Sequence, residues 1–250
     1  MATRRIGKSL RVLWPASARR AAPDGGTAAI TEHEGWARDR FDAWSTSATF
    51  QRLKPWLAYV QRQVLDRIDW ARTTAVLDVA CGSGYAVDEA ARRLRDGGFA
   101  CGCDLSEGML RQRAGSYDSA KTGFAAASAQ ALPFQSGSFD AVICTTAFHH
   151  FPEPVEALRE FKRVLRPGGQ VLIADTCRDC SVGTWVWDLI HRLFEKGHVR
   201  YHRTDEMRAF LEEAGFGSVK VEVLSPSYAE TRKLVRHTAL ISGILRAEAG

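Results

Sequence analysis

Apolar and polar positions change rhythm along the chain. From about residue 34 to 70 the apolar positions recur at helical spacing. Phe41 and Trp44 lie three apart, and Trp56, Val60, Val64 and Ile68 follow at fours, so each set falls on one face. Pro55 interrupts this run and predicts the first turn of a second helix. From Ala75 onward, short apolar runs alternate with helical patterns. Residues 75–80 read as a strand, 86–95 as a helix ended by Gly97-Gly98, 99–103 as a strand, and 106–113 as a helix with Ser106 as its N-cap. Strands follow at 122–127 and 139–145. A helix at 153–165, with Val155, Leu158, Phe161 and Leu165 on one face, stops at Pro167-Gly168-Gly169 and leads into a strand at 170–174. Helices near 184–196 and 204–214 come next. A strand near 218–224 and a last apolar run at 238–245 can pair as a hairpin edge.

This alternation predicts an α/β, doubly wound, Rossmann-like fold. Its sheet is mostly parallel, with seven strands, an antiparallel last strand and helices on both faces. No internal repeat or linker divides the folded part. Residues 1–33 read as a basic, disordered tail. Residues 34–250 read as one domain with an N-terminal helical lid at 34–70 and a helical insert at 178–214.

Composition narrows the picture. With 250 residues, 45% hydrophobic and 25% charged, the chain is ordinary globular material. No apolar stretch approaches the ~20 residues of a membrane span. The formal charge of +5 is uneven. Residues 1–35 carry Arg4, Arg5, Lys8, Arg11, Arg19 and Arg20 against Asp24, Glu32 and Glu34, so the rest is near neutral and makes no case for a nucleic-acid surface. The leader lacks the apolar core of a secretory signal. A plain tail on a cytoplasmic protein fits it, and so does an organellar transit peptide. The six cysteines read as reduced and buried. Cys177 and Cys180 have CxxC spacing, but no second pair completes a metal set, and no metal is expected.

One stretch asks for more than packing. Val76-Leu-Asp-Val-Ala-Cys-Gly-Ser-Gly84 is an apolar strand that carries an acid, Asp78, and then turns on two glycines. In an open parallel sheet, ligands bind outside the carboxyl ends of the strands. Glycine there lets the backbone approach a ligand without a Cβ in the way. A dinucleotide fingerprint would place a third glycine at Val87, which it lacks, but an acid, Asp104, ends the next strand 20 residues after Gly84. A carboxylate so placed can accept both hydroxyls of a ribose.

These motifs resemble a class I S-adenosylmethionine-dependent methyltransferase of the small-molecule type, such as the ubiquinone/menaquinone and natural-product O-methyltransferases. Residues 76–84 match its first motif, and Cys103-Asp-Leu-Ser-Glu-Gly-Met-Leu110 its second. Ala131-Leu-Pro-Phe-Gln-Ser-Gly-Ser-Phe-Asp140 and Leu165-Arg-Pro-Gly-Gly-Gln-Val-Leu-Ile-Ala174 match the segments around strands four and five. The resemblance implies S-adenosyl-L-methionine as cofactor. Ala80, Gly82 and Gly84 would pass under its methionine part, with Asp78 supporting the turn or reaching the amino group. Asp104 would hold the ribose, Leu105 and Met109 would face the adenine, and Thr145 would lie near the methionine end. Where the family often has an acid that contacts the adenine, this chain has Ser128, followed by Ala129.

The resemblance also implies a base. His149 follows strand four, and Asp175 ends strand five. By resemblance to certain sugar O-methyltransferases, His149 is the base and Asp175 its partner, while His150 is structural. A blander reading makes one histidine a packing or capping residue. The acceptor is expected to be a small molecule, with a hydroxyl ahead of carbon or nitrogen. Phe41 and Trp44 of the lid can cover the cofactor. In the insert, Trp185, Trp187, Leu189, Phe194 and Tyr201 can line an acceptor cavity or pack onto the sheet, and His191, His198 and His202 read as inert on a solvated face. Three competing readings remain: an RNA or protein methyltransferase, a non-catalytic cofactor-binding or assembly protein, and a nicotinamide dehydrogenase. Oligomeric state is not legible.

Overall fold

The computed structural model describes residues 32–113, 121–180, 185, 186, 188–190, 193, 199–224 and 238–244. Most of the expected tail lies outside these residues, as do Trp187, His191, Phe194 and His198. Glu32 and His33, assigned above to the tail, instead open a helix.

Two helices precede the sheet, α1 (Glu32–Trp44) and α2 (Ala48–Leu65). The break between them falls at residues 45–47 rather than at Pro55. Ser47 caps α2, its Oγ accepting the Phe50 N–H at 3.1 Å, and Pro55 lies inside the helix. An interior proline costs an intrahelical hydrogen bond. Burial of Phe50, Val60, Val64 and Leu65 along one face offsets that loss.

The alternating part follows: β1 (Ala75–Val79), α3 (Tyr85–Arg93), β2 (Phe99–Asp104), α4 (Glu107–Arg111), β3 (Thr122–Ala126), β4 (Phe139–Thr145), a 3₁₀ turn at Phe148–His150, α5 (Pro154–Val164), β5 (Leu165–Thr176), α6 (Thr204–Glu213), β6 (Gly217–Val223) and β7 (Thr238–Ile244). β1 to β5 run parallel in the order 3-2-1-4-5, which makes the architecture α/β and Rossmann-like. β7 lies antiparallel beside β5, and β6 lies beyond it. β5 is longer than the apolar run predicts, because residues 165–169 join it across a register shift opposite Phe139 and Ala141.

Successive residues of β1 face opposite layers. Leu77 and Val79 pack with Phe139, Leu158, Phe161 and Leu211 on one side. Val76 packs with Val60 and Val64 of α2 and Ala86 and Ala90 of α3 on the other. At the amino end of the sheet, Asp140 accepts the Thr74 N–H at 2.7 Å, the Ala75 N–H at 2.9 Å and the Arg166 Nη1–H at 2.7 Å. The acid of the "FD" pair is thus a structural tie, at the edge opposite the site. Strand order reverses between β1 and β4, so a crevice opens outside their carboxyl ends. Among the described residues no helix is long and apolar enough to cross a membrane, and no cluster of three His, Cys, Asp or Glu side chains could hold a metal ion.

Candidate active site

A cavity of about 1170 Å³ lies along the carboxyl ends of β1, β2, β3 and β4, under α1 and α2. That exceeds the ~300–1,000 Å³ of an ordinary small-molecule pocket. Its floor comes from the turn after β1. Ala80 and Gly82 both line the cavity and both have positive φ, +57° and +55°. A Cβ on Gly82 would meet nothing within 4 Å, so bare backbone faces the open space. Gly84 differs. It is the N-cap of α3 at φ +82°, and a Cβ there would lie 2.7 Å from the Phe124 ring. Gly84 does not line the cavity; it lets the turn pack on β3.

Asp104 ends β2 beneath the turn and does line the cavity. Its Oδ2 accepts the Gly82 N–H at 2.7 Å and its Oδ1 the Ser106 N–H at 2.8 Å. Burial raises its pKa to about 6, against the pull of those two bonds. Leu105 and Met109 carry the wall onward to Ser128 and Ala129, in the loop after β3. The Ala127 N–H donates to the Asp104 carbonyl at 3.0 Å, which holds the two loops side by side.

Asp78 sits behind the turn, fully buried and outside the cavity wall. Neither of its oxygens has a hydrogen-bond partner among the described residues, so it neither supports the turn by a bond nor meets the open space. Burial and the neighbouring Asp104 push its pKa well above the ordinary range. The thiols of Cys81 and Cys103 are buried beside it and are pushed up as well.

The other wall comes from β4 and β5. Thr145 is buried at the cavity, with its Oγ1 lacking a hydrogen-bond partner among the described residues. Thr146 follows at φ +52°, held by its N–H on the Ala174 carbonyl at 2.7 Å. A β-branched residue in that region is strained. The chain then enters the 3₁₀ turn that carries His149, 8% exposed and in the cavity wall. Asp175, buried behind it, binds it twice. Oδ1 lies 2.7 Å from His149 Nδ1, and Oδ2 accepts the His149 N–H at 2.8 Å. Burial raises the Asp175 pKa to about 6, although hydrogen bonds from His149 and Thr176 and the nearby His150 and His202 lower it. The His149 ring packs between His150 and Tyr201, with centroids 4.0 and 4.8 Å away.

Comparison with known proteins agrees with this fold. The family model described as a methyltransferase domain matches residues 77–173. Demethylmenaquinone methyltransferase of Bacillus mycoides is 24% identical over 206 residues, which cover 74% of this chain and 85% of that protein. The protein solved in complex with the Haloferax volcanii Trm112 methyltransferase activator superposes with a TM-score of 0.68, at 23% identity over 82% of this chain and 97% of its own. The Haemonchus contortus phosphoethanolamine N-methyltransferase 2, solved with S-adenosylhomocysteine, gives 0.65, at 16% identity over 84% and 60%.

With a methyltransferase domain over residues 77–173, the chain is an S-adenosylmethionine-dependent methyltransferase.

S-adenosylmethionine is its cofactor, and the chemistry of the cavity fits. The methyltransferase offers open backbone at Gly82, a carboxylate at Asp104 and an unpartnered hydroxyl at Thr145. Several expectations need correction. Of the insert residues expected to form a wall, Tyr201 lines the cavity, while Trp185 and Leu189 are exposed. His202 is not on a solvated face. It is buried against Phe148 and Phe210, and burial lowers its pKa.

The sequence reading also missed how firmly the lid is tied down. Asp42 of α1 accepts from Ser106 Oγ, and from the Gly108 N–H at 2.7 Å. A Cβ on Gly108 would come within 2.8 Å of the Asp42 backbone. His33 Nε2 lies 3.3 Å from the His150 carbonyl, and Phe41 meets the His150 ring edge-on at 4.9 Å. Glu34, buried, is hydrogen-bonded to Ser128. The spacing Glu34, Ala37, Phe41, Trp44 was the available signal, since it puts the acid on the face of the aromatics.

Proposed function

We propose that this methyltransferase methylates a hydroxyl of a small molecule, with His149 as the base. The pairing of His149 with Asp175 in the cavity wall carries this reading. Bound here, S-adenosylmethionine supplies an electrophilic sulfonium methyl and leaves as S-adenosylhomocysteine. The chain's part is alignment and proton removal. Ionised Asp175 accepts the Nδ1–H of His149, so this tautomer carries its lone pair on Nε2. Nε2 takes the hydroxyl proton as the acceptor oxygen bonds to the methyl carbon, and Asp175 stabilises the imidazolium formed.

For the cofactor we assign the turn at Ala80 and Gly82 to the methionine part, with Gly84 and Asp78 behind the wall and Thr145 beside it. Asp104 takes the ribose, Leu105 and Met109 the adenine faces, and Ser128 and Ala129 the far edge of the base. The size of the cavity supports room for an acceptor as well. Phe41, Trp44 and Phe50 in its wall favour a planar or apolar one, which agrees with relatives named for demethylmenaquinone. The near-neutral charge outside the first 35 residues counts against a nucleic acid.

The test is methyl acceptance by a panel of phenols, quinols and sugars, read by product mass, with wild-type chain and His149→Ala. An O-methylated product whose formation collapses in the variant supports the reading. Transfer to carbon or nitrogen at an unchanged rate would replace it with positioning alone.

A further inference from the structure

We propose that Asp188, in the insert after β5, is a positioning residue for methyl transfer. Through the strap at residues 199–202 it holds the Tyr201 ring against the His149 imidazole, and so limits how far the base can swing. The proposal rests on the reading of His149 as the base.

The insert residues that the structure describes, 185, 186, 188–190 and 193, are helical, and their burial runs opposite to the usual pattern of a surface helix. Trp185, Val186, Leu189, Ile190 and Leu193 are between 38% and 68% exposed, while the one acid among these residues, Asp188, is 1% exposed. A carboxylate held out of water is costly, and a packed apolar side chain in its place would often stabilise as well or better. The acid is explained by the geometry that it fixes. Asp188 Oδ1 accepts the Tyr201 N–H at 2.6 Å, and Oδ2 lies 3.8 Å from Arg178 Nε.

The strap that Asp188 grips passes over the base. The Val199 and Arg200 N–H groups both donate to the His149 carbonyl, at 3.2 and 3.4 Å. The His202 carbonyl accepts the Arg178 N–H at 2.9 Å, which ties the far end of the strap to the chain leaving β5. Between these ties, Tyr201 lines the cavity, with its ring 4.8 Å from the His149 ring. Asp175 holds the Nδ1 edge of the imidazole, and Tyr201 and His150 close on the ring itself. A displacement of about 1 Å at a reacting group can cost about a hundredfold in rate. Losing the grip on Tyr201 is a route to such a displacement.

Proton NMR of the full chain with S-adenosylhomocysteine tests this without an acceptor. The carbon-bound ring protons of His149, identified by their loss in His149→Ala, should carry a ring-current shift from Tyr201 that Tyr201→Leu removes. Asp188→Ala should move the same resonances in the same direction. Asp188→Asn, whose amide oxygen still accepts the Tyr201 N–H, should stay near the wild type. Unmoved resonances in Asp188→Ala, or an equal displacement in Asp188→Asn, would overturn the proposal. Turnover of an acceptor from the panel of phenols, quinols and sugars supplies the second readout. Asp188→Ala and Tyr201→Leu should each lower kcat by about tenfold to a hundredfold, with S-adenosylhomocysteine affinity kept, and neither should lower it further in a His149→Ala background. Tyr201→Leu leaves the buried acid and its backbone partner in place, so it decides the matter even if Asp188→Ala does not fold. If His149→Ala turns over at the wild-type rate, the reading of the base and this proposal fall together. If His149→Ala is slow but Tyr201→Leu is not, or if the losses add, the proposal alone falls.

Discussion

His149 Nδ1 lies 2.7 Å from Asp175 Oδ1, and the same carboxylate also accepts the His149 backbone N–H. One acid therefore fixes the position of the residue as well as the tilt of its ring. In the proposed reaction, His149→Ala should lower kcat by about 10²–10⁴ while S-adenosylhomocysteine affinity stays within about threefold. Asp175→Asn should also lower kcat, and its pH profile should move. Steady-state rates at saturating cofactor, with calorimetry alongside, separate these outcomes. Equal losses in rate and binding would mean that the pair only holds the wall together.

Cofactor affinity should depend on pH through Asp104. Its pKa of about 6 in the folded chain lies above the ordinary 3.8. The sign follows from that. A raised carboxyl costs stability once ionised, so the empty protein loses stability from this group as pH climbs from about 4 to 6. A ribose diol needs the ionised form, so binding should strengthen over the climb through pH 6. The increase in melting temperature caused by S-adenosylhomocysteine should be larger at pH 7.5 than at pH 5. In Asp104→Asn that difference should vanish.

The two glycines of the turn should fail differently. Gly82→Ala puts a methyl into open cavity at φ +55°, with backbone strain of about 1–2 kcal/mol. Its main effect should be on cofactor affinity. Gly84→Ala drives a methyl to 2.7 Å from the Phe124 ring, in addition to strain at φ +82°. It should destabilise by about 2–4 kcal/mol. Denaturant titration and calorimetry on both variants check the contrast.

Asp140 should matter for stability alone. Burial pushes its carboxyl up, but bonds from Thr74 and Arg166 outweigh that and hold it below the usual range. The stabilisation is present above about pH 4 and is lost as pH falls through the depressed value. Asp140→Ala should cost about 2–4 kcal/mol at neutral pH and leave the affinity of the folded fraction unchanged. Urea unfolding at pH 7 and pH 3 reads both effects.

The strands were legible because a parallel sheet covered on both faces writes itself as apolar runs, such as Val76–Val79 and Ala141–Cys144. The turn after β1 was legible because few other uses ask for Gly-x-Gly directly after a strand. Helix boundaries were harder to read. Pro55 suggested a helix start, whereas α2 begins at Ala48 under its Ser47 cap and runs through the proline, with Phe50 packed on Trp44. The two glycines look alike in the sequence but face opposite ways in the fold. The lid acids were least legible. Glu34 and Asp42 look like ordinary solvated helix charges until loops distant in the chain meet them.

That distance has a kinetic consequence. Glu34 and Ser128 are 94 positions apart, Asp42 and Ser106 are 64 apart, and His33 and His150 are 117 apart. α1 emerges from the ribosome ahead of the sheet, yet its first partners, Ser106 and Gly108, come only after β2, and His150 only after β4. Each of these contacts closes a long loop, at an entropic cost that grows with the separation. Held by contacts this distant in the chain, α1 is expected to dock late and open early. Hydrogen exchange should see it open far more often than β1 beneath it.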